Sequence, residues 1–186
     1  LLLTFKFIFF DLIFSNQVIH WSQNYAKLFD EIYRVMATDA CLMFSTLGPD
    51  TFHELRPRDI ELTYAHANTF IDMHDLGDAL LNGKLSDPVM DMDKLTLHYK
   101  SFSDLVRALK EQGVRNMNAK RNRGLTGKRA WEKFELAVST HKTETGMFPL
   151  SYEVLYGQAW KSAVQQDSKA SETSIALSAM RRMLQK

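Results

Sequence analysis

The chain has 186 residues, 45% hydrophobic and 24% charged, with 23 basic against 22 acidic side chains and a net charge of +1. That length is enough for one globular domain with a real core, and near-neutrality excludes nucleic-acid binding across the whole surface, leaving room only for local basic clusters. The single cysteine, Cys41, lies in an apolar run, which argues against a disulfide or metal framework and predicts a buried, reduced thiol in a cytoplasmic protein.

The opening run Leu1–Phe10 is apolar, but Lys6 and Asp11 interrupt it, no small-residue cleavage site follows, and it falls short of the ~20 residues a bilayer span needs. It predicts neither a signal nor a membrane segment. The chain starts almost inside a strand, as if its front were missing. Leu12, Ile13 and Phe14 read as a short strand buried on both faces, stopped by two polar residues. Ser15, Asn16 and Gln17 then fall at a strand's carboxyl end, the edge where open α/β sheets bind ligands, so they are candidates for a pocket wall; a plain turn with a helix cap is the other reading. Trp21–Met36 repeats apolar residues at Tyr25, Leu28, Phe29, Ile32 and Val35, an amphipathic helix capped by Ser22 or Asn24 and ending near Ala37–Asp39. Cys41–Thr46 follows as a second buried strand. Strand, helix and strand in so few residues predict a right-handed unit with parallel strands whose ends share one edge.

Residues 50–88 turn helical but irregular, and a long insertion behind a strand end is where a substrate cover is placed. The histidines there, His53, His66 and His74, lack metal-ligand spacing apart from the weak pair His74 and Asp78. Asp91–Tyr99 alternates as a third strand, Ser103 is placed to cap a helix through Gln112, and Gly113 ends it. The basic, glycine-containing stretch Arg115–Arg129 is not a phosphate loop, because Asn122 and Arg129 stand where glycine and Ser or Thr are required. It remains a cationic patch beside a helix start, either anion-binding or simply a solvated face. Trp131–Thr140 continues as a helix, Leu150–Trp160 as a fourth strand, and 162–186 as a polar tail ending in a short amphipathic segment.

Several of these stretches together resemble one family. Phe10-Asp-Leu-Ile-Phe-Ser-Asn-Gln-Val-Ile-His-Trp, Phe44-Ser-Thr-Leu-Gly-Pro, Ala65-His-Ala-Asn-Thr-Phe-Ile-Asp-Met-His-Asp-Leu-Gly-Asp, Asp87-Pro-Val-Met-Asp-Met-Asp, Arg123-Gly-Leu-Thr-Gly-Lys-Arg and Tyr152-Glu-Val-Leu-Tyr-Gly-Gln-Ala-Trp are similar to the malonyl-acyl-carrier-protein O-methyltransferases of biotin synthesis, over Phe10 to about Lys161. The resemblance implies an α/β fold: the C-terminal portion of a Rossmann-like S-adenosylmethionine methyltransferase sheet with a helical insertion, its N-terminal strands missing. It implies a partial methyltransferase domain over 1–161, with 50–88 as helical cover. It also implies methyl transfer from S-adenosylmethionine to the free carboxylate of a malonyl thioester on acyl carrier protein. By position, Ser15, Asn16 and Gln17 match the cofactor's methionine side, and His66, Asn68 and Phe70 match the cover over the acceptor. Arg121, Arg123, Lys128 and Arg129 match a basic stretch that could meet the acidic carrier protein. The chain departs from the family in having no Gly-x-Gly turn before Phe10, so about three βα units of ~30 residues are expected to come from elsewhere, such as a separately encoded N-terminal half. The alternative is a non-catalytic remnant, or a carrier-protein-binding module without a cofactor site.

Overall fold

The computed structural model describes residues 10–56, 67–113, 121–122 and 124–163. Strand β1 (Phe10–Asn16) leads through a single 3-10 turn (Ile19–Trp21) into helix α1 (Tyr25–Val35) and strand β2 (Met36–Leu47). A second 3-10 turn (His53–Leu55), helix α2 (Met73–Asn82) and strand β3 (Ser86–Tyr99) follow, then helices α3 (Phe102–Glu111) and α4 (Lys128–Ser139) and strand β4 (Phe148–Trp160). The sheet order is β1-β2-β4-β3, with β1 parallel to β2 and β4 antiparallel to both of its neighbours. Two reversals across β4 make β3 parallel to β2. The carboxyl ends of β1, β2 and β3 therefore share one edge, extending to a third strand the common edge expected of the first two.

Helix α1 forms where its apolar period predicts. The Asn24 side chain accepts from the Lys27 amide at 2.9 Å, which satisfies one of the free N–H groups of the first turn. Phe29, Ile32 and Val35 are buried along one stripe. The helix starts later than Trp21, because Ile19–Trp21 closes its own turn and Ser22 is extended. The helix ends at Val35 rather than near Ala37–Asp39, which forms a bulge inside β2: Phe10 pairs with Met36 but Leu12 pairs with Cys41, and Asp39 has φ 61°. Strand β3 begins five residues before the alternation suggested, and Ser101 rather than Ser103 caps α3, accepting from the Asp104 amide at 3.1 Å. Lys161 lies against the end of α1, its Nζ donating at 2.9 Å to the carbonyls of Tyr33 and Met36, orphan acceptors of the last turn.

Two cores result. Under the sheet, Phe29 and Ile32 of α1 and Leu76 and Leu80 of α2 pack on Leu42, Phe44, Leu155 and Ala159. At the carboxyl edge, Phe52, Leu55 and Ala67 join Phe102 and Leu105 of α3, Phe134 and Val138 of α4, and Phe148 and Leu150 of β4. The stretch 50–88 thus serves both: its first part joins the edge core and α2 packs under the sheet, while residues 57–66 lie outside the described residues. The expectation that Leu12–Phe14 is buried on both faces is corrected. Leu12 is 56% and Phe14 70% exposed, because α1 and α2 cover only the opposite face, the one that Ile13 packs against. Cys41 is buried and free, and burial pushes its thiol pKa up. Among the described residues no helix is long and apolar enough to cross a membrane. The tail beyond Ala163 lies outside them.

Candidate functional site

Three segments that follow strand ends meet at the shared edge: the turn after β1, the chain from Gly48 to Leu55 after β2, and the pair α3 and α4 after β3. The second is tied down by β4. Gly48 N donates to the Glu153 carbonyl at 2.9 Å, Phe52 N to the Ser151 carbonyl at 2.8 Å, and Thr51 Oγ1 both donates to the Glu153 carbonyl and accepts from its amide. Buried Glu54 accepts from the Ser151 amide at 3.1 Å. These bonds satisfy the backbone of an irregular segment packed against the core, and they hold Phe52 at φ 58° with its ring inside.

The expected trio at the end of β1 does not act as a unit. Ser15 pairs with Phe44 and shares its core-facing side of the sheet, whereas Asn16 pairs with Ser45 and faces the open side. Asn16 Oδ1 accepts from Ser45 Oγ at 2.5 Å, and Gln17 turns the chain at φ 54° with its amide donating to the Ser45 carbonyl at 3.0 Å. This lock fixes the Asn16 amide and leaves its Nδ2 as a donor. Asn16 also borders a shallow hollow on the uncovered face, with Phe14, Met43, Asp91 and Tyr156.

A cleft of about 420 Å³ opens beside the 3-10 turn. One wall is His20-Trp21-Ser22-Gln23 with Tyr25; the other is Asn68-Thr69-Phe70-Ile71. Asn68 and Phe70, two of the three residues expected to match a cover, both line this cleft, while His66 lies outside the described residues. Rings connect the cleft to the edge core: His20 meets Phe70 edge-on at 5.7 Å, Phe70 meets Phe52 at 6.3 Å, and Phe52 meets Tyr152 at 4.9 Å. The described residues lining the cleft include no Lys, Arg, Asp or Glu. Burial raises the Tyr25 pKa and lowers that of His20, which keeps both neutral at pH 7. The sequence reading missed His20 and Trp21; an apolar run that ends in an imidazole beside an indole just past a strand end was the available signal.

The lowered His20 pKa has a thermodynamic consequence. Below the ordinary imidazole value of 6.5 the unfolded chain takes up a proton that the folded chain resists, so stability falls as pH falls from 6.5 towards the depressed folded value. The variant His20→Gln is expected to show a smaller loss of urea midpoint between pH 7.5 and 5.5 than the wild type; equal losses would rule this contribution out.

The described basic residues of the expected patch sit elsewhere. Lys128 and Arg129 begin α4 and are exposed, with Lys128 Nζ 3.8 Å from Glu132. Arg121 is half-buried, and Arg123 lies outside the described residues. Arg121, Lys128 and Arg129 do not line the cleft. Among the described residues no group of His, Cys, Asp and Glu is placed to hold a metal ion.

A methyltransferase-domain family model matches residues 2–44. A malonyl-acyl-carrier-protein O-methyltransferase of Legionella pneumophila is 54% identical over 170 residues, covering 91% of this chain and 60% of that protein. Over nine-tenths of its length the chain is thus similar to malonyl-acyl-carrier-protein O-methyltransferases. A relative of the same name from Nitrosospira multiformis is 42% identical over 163 residues, covering 87% of this chain and 53% of that protein. The chain thus spans a little over half the length of these relatives. In fold it matches a putative methyltransferase of Bacillus halodurans (TM-score 0.53, 16% identity) and the YcgJ protein of Bacillus subtilis (TM-score 0.54, 14% identity). These matches cover 86% and 87% of this chain and 68% of each structure. The α/β reading of the sequence, as part of a class I methyltransferase sheet, holds.

Proposed function

We propose that this chain forms the acceptor side of a methyltransferase that esterifies the free carboxylate of a malonyl thioester on acyl carrier protein, the methylation step of biotin synthesis, with S-adenosylmethionine as donor. The observation that carries the reading is the cleft between His20–Tyr25 and Asn68–Ile71, at the carboxyl edge of a sheet whose relatives bear that name. The residues present fit part of the cofactor: Asn16, locked by Ser45, offers Nδ2 to the amino-acid end next to the turn at Gln17. When bound, the cofactor supplies an activated methyl group. A malonyl carboxylate is already ionised at neutral pH and is its own nucleophile, so this chain supplies no general base. Its residues hold the carboxylate in place and exclude water, and positioning of this kind is a large part of catalysis. The uncovered row of Leu12, Phe14, Met43 and Tyr156 supports the expectation that the remaining wall comes from polypeptide outside the described residues.

A second reading rests on the separation of the basic helix start from the cleft: a module that binds carrier protein without methyl transfer. Two measurements separate the readings. Transfer of a labelled methyl group to a base-labile ester on malonyl-carrier protein is expected under the first reading alone, with the chain itself or with the missing wall supplied as a second polypeptide. The double variant Lys128→Glu/Arg129→Glu is expected to weaken carrier-protein binding several-fold at low salt and less at high salt. Unchanged affinity would remove these two cations from both readings.

A further inference from the structure

Resting on the carboxylate-acceptor reading above, we propose that His20 is a positioning residue that holds the acceptor carboxylate through a neutral Nε2–H donor, so that the carboxylate is recognised without a cation. The argument begins with the ring's other nitrogen. Nδ1 of His20 is sealed from solvent and has no hydrogen-bond partner among the described residues. A neutral imidazole carries one N–H, and leaving a buried N–H unpaired costs more than leaving a lone pair unpaired, so the proton belongs on Nε2. Nε2 is the nitrogen left accessible, on a ring that lines the cleft and is held by Trp21 at 5.1 Å and Phe70 at 5.7 Å. Among the described residues, the side chains around it that can donate to a carboxylate, Tyr25 and Asn68 among them, carry no formal charge.

Neutral recognition suits the chemistry. A guanidinium or ammonium would pair tightly with the carboxylate, lowering its nucleophilicity and stabilising the reactant more than the uncharged ester product. A single neutral N–H orients one oxygen and loses less as charge leaves it during the reaction. The aromatic neighbours keep water from competing for that oxygen.

The test uses the full chain uniformly labelled with ¹⁵N and the probe malonyl-N-acetylcysteamine thioester, with its methyl ester as control. The expected result is an Nε2–H tautomer at pH 7.5 whose nitrogen shift moves with the malonyl probe and not with the methyl ester. His20→Gln, which keeps a neutral donor, is expected to bind the probe within about threefold of wild type, and His20→Phe about tenfold more weakly. A proton on Nδ1, a charged ring, or an unmoved His20 signal while Trp21 and Phe70 signals shift would overturn the assignment and leave the acceptor reading standing. A probe that perturbs no residue of the cleft would overturn both.

Discussion

Replacing Gly157 with alanine is expected to lower stability by about 1–3 kcal/mol, and with valine by more, through overpacking of the core under the sheet. A β-carbon at Gly157 would lie 2.2 Å from Cζ and 2.6 Å from Cε1 of Phe44, so the whole ring would have to move. The ring has little room to do so. Phe44 is 3% exposed and packs against Phe29, itself fully buried, with centroids 6.4 Å apart. Gly157 sits in the middle of β4, paired with Phe44 on one side and Met90 on the other, so displacing the ring strains the junction of β2, β4 and β3. The companion change Phe44→Leu removes the obstructing atoms, and in the Gly157→Ala background it is expected to cost less than it does alone. Urea midpoints of the two single variants and the double variant check this. Additive losses would show that the ring and the glycine are not coupled.

A glycine inside a strand pattern, as in Tyr156-Gly157-Gln158, is a sequence-level sign of close approach, but the partner that approaches is set by sheet order, which no local pattern carries. The same limit explains Leu12 and Phe14. Their strand was legible as an apolar run, yet whether such a run is buried on one face or two depends on where helices from other parts of the chain come to rest, and α1 and α2 both rest on the Ile13 side. Helix α1 was legible because its stripe, Phe29, Ile32 and Val35, repeats with the helix period and the Asn24 cap precedes it. The stretch 50–88 was not, because its apolar residues have two destinations: Phe52 and Leu55 go to the edge core and Leu76 and Leu80 to the sheet. At the carboxyl edge, the end of β1 was legible in the sequence, whereas the sequence reading did not single out His20, which lines the cleft. The property that matters at His20, a sealed Nδ1 beside an accessible Nε2, arises from packing across 50 residues of sequence against Phe70.

That packing makes the edge core a determinant of the cleft. Phe102 is expected to be the residue whose loss shows it. Its ring is 4% exposed and lies 5.4 Å from Trp131, 5.6 Å from Phe134 and 6.1 Å from Phe148, so it joins α3, α4 and the start of β4. Phe102→Ala leaves a cavity among three aromatic rings, and a change of this kind typically costs about 3–5 kcal/mol. The expected loss is regional. Amide exchange should rise in α3 and α4, while amides of β2 paired with β1 and β4 keep their protection, since the core under the sheet shares no buried residue with the edge core. The cleft should feel the change, because Phe52 belongs to the edge core and supports Phe70, which forms the wall opposite Trp21. Affinity for a malonyl thioester should therefore fall in Phe102→Ala even though no atom of Phe102 lines the cleft. Simultaneous loss of protection in β2 and in α4 would instead mean that the two cores melt as one unit, and that the cover cannot loosen without unfolding the sheet.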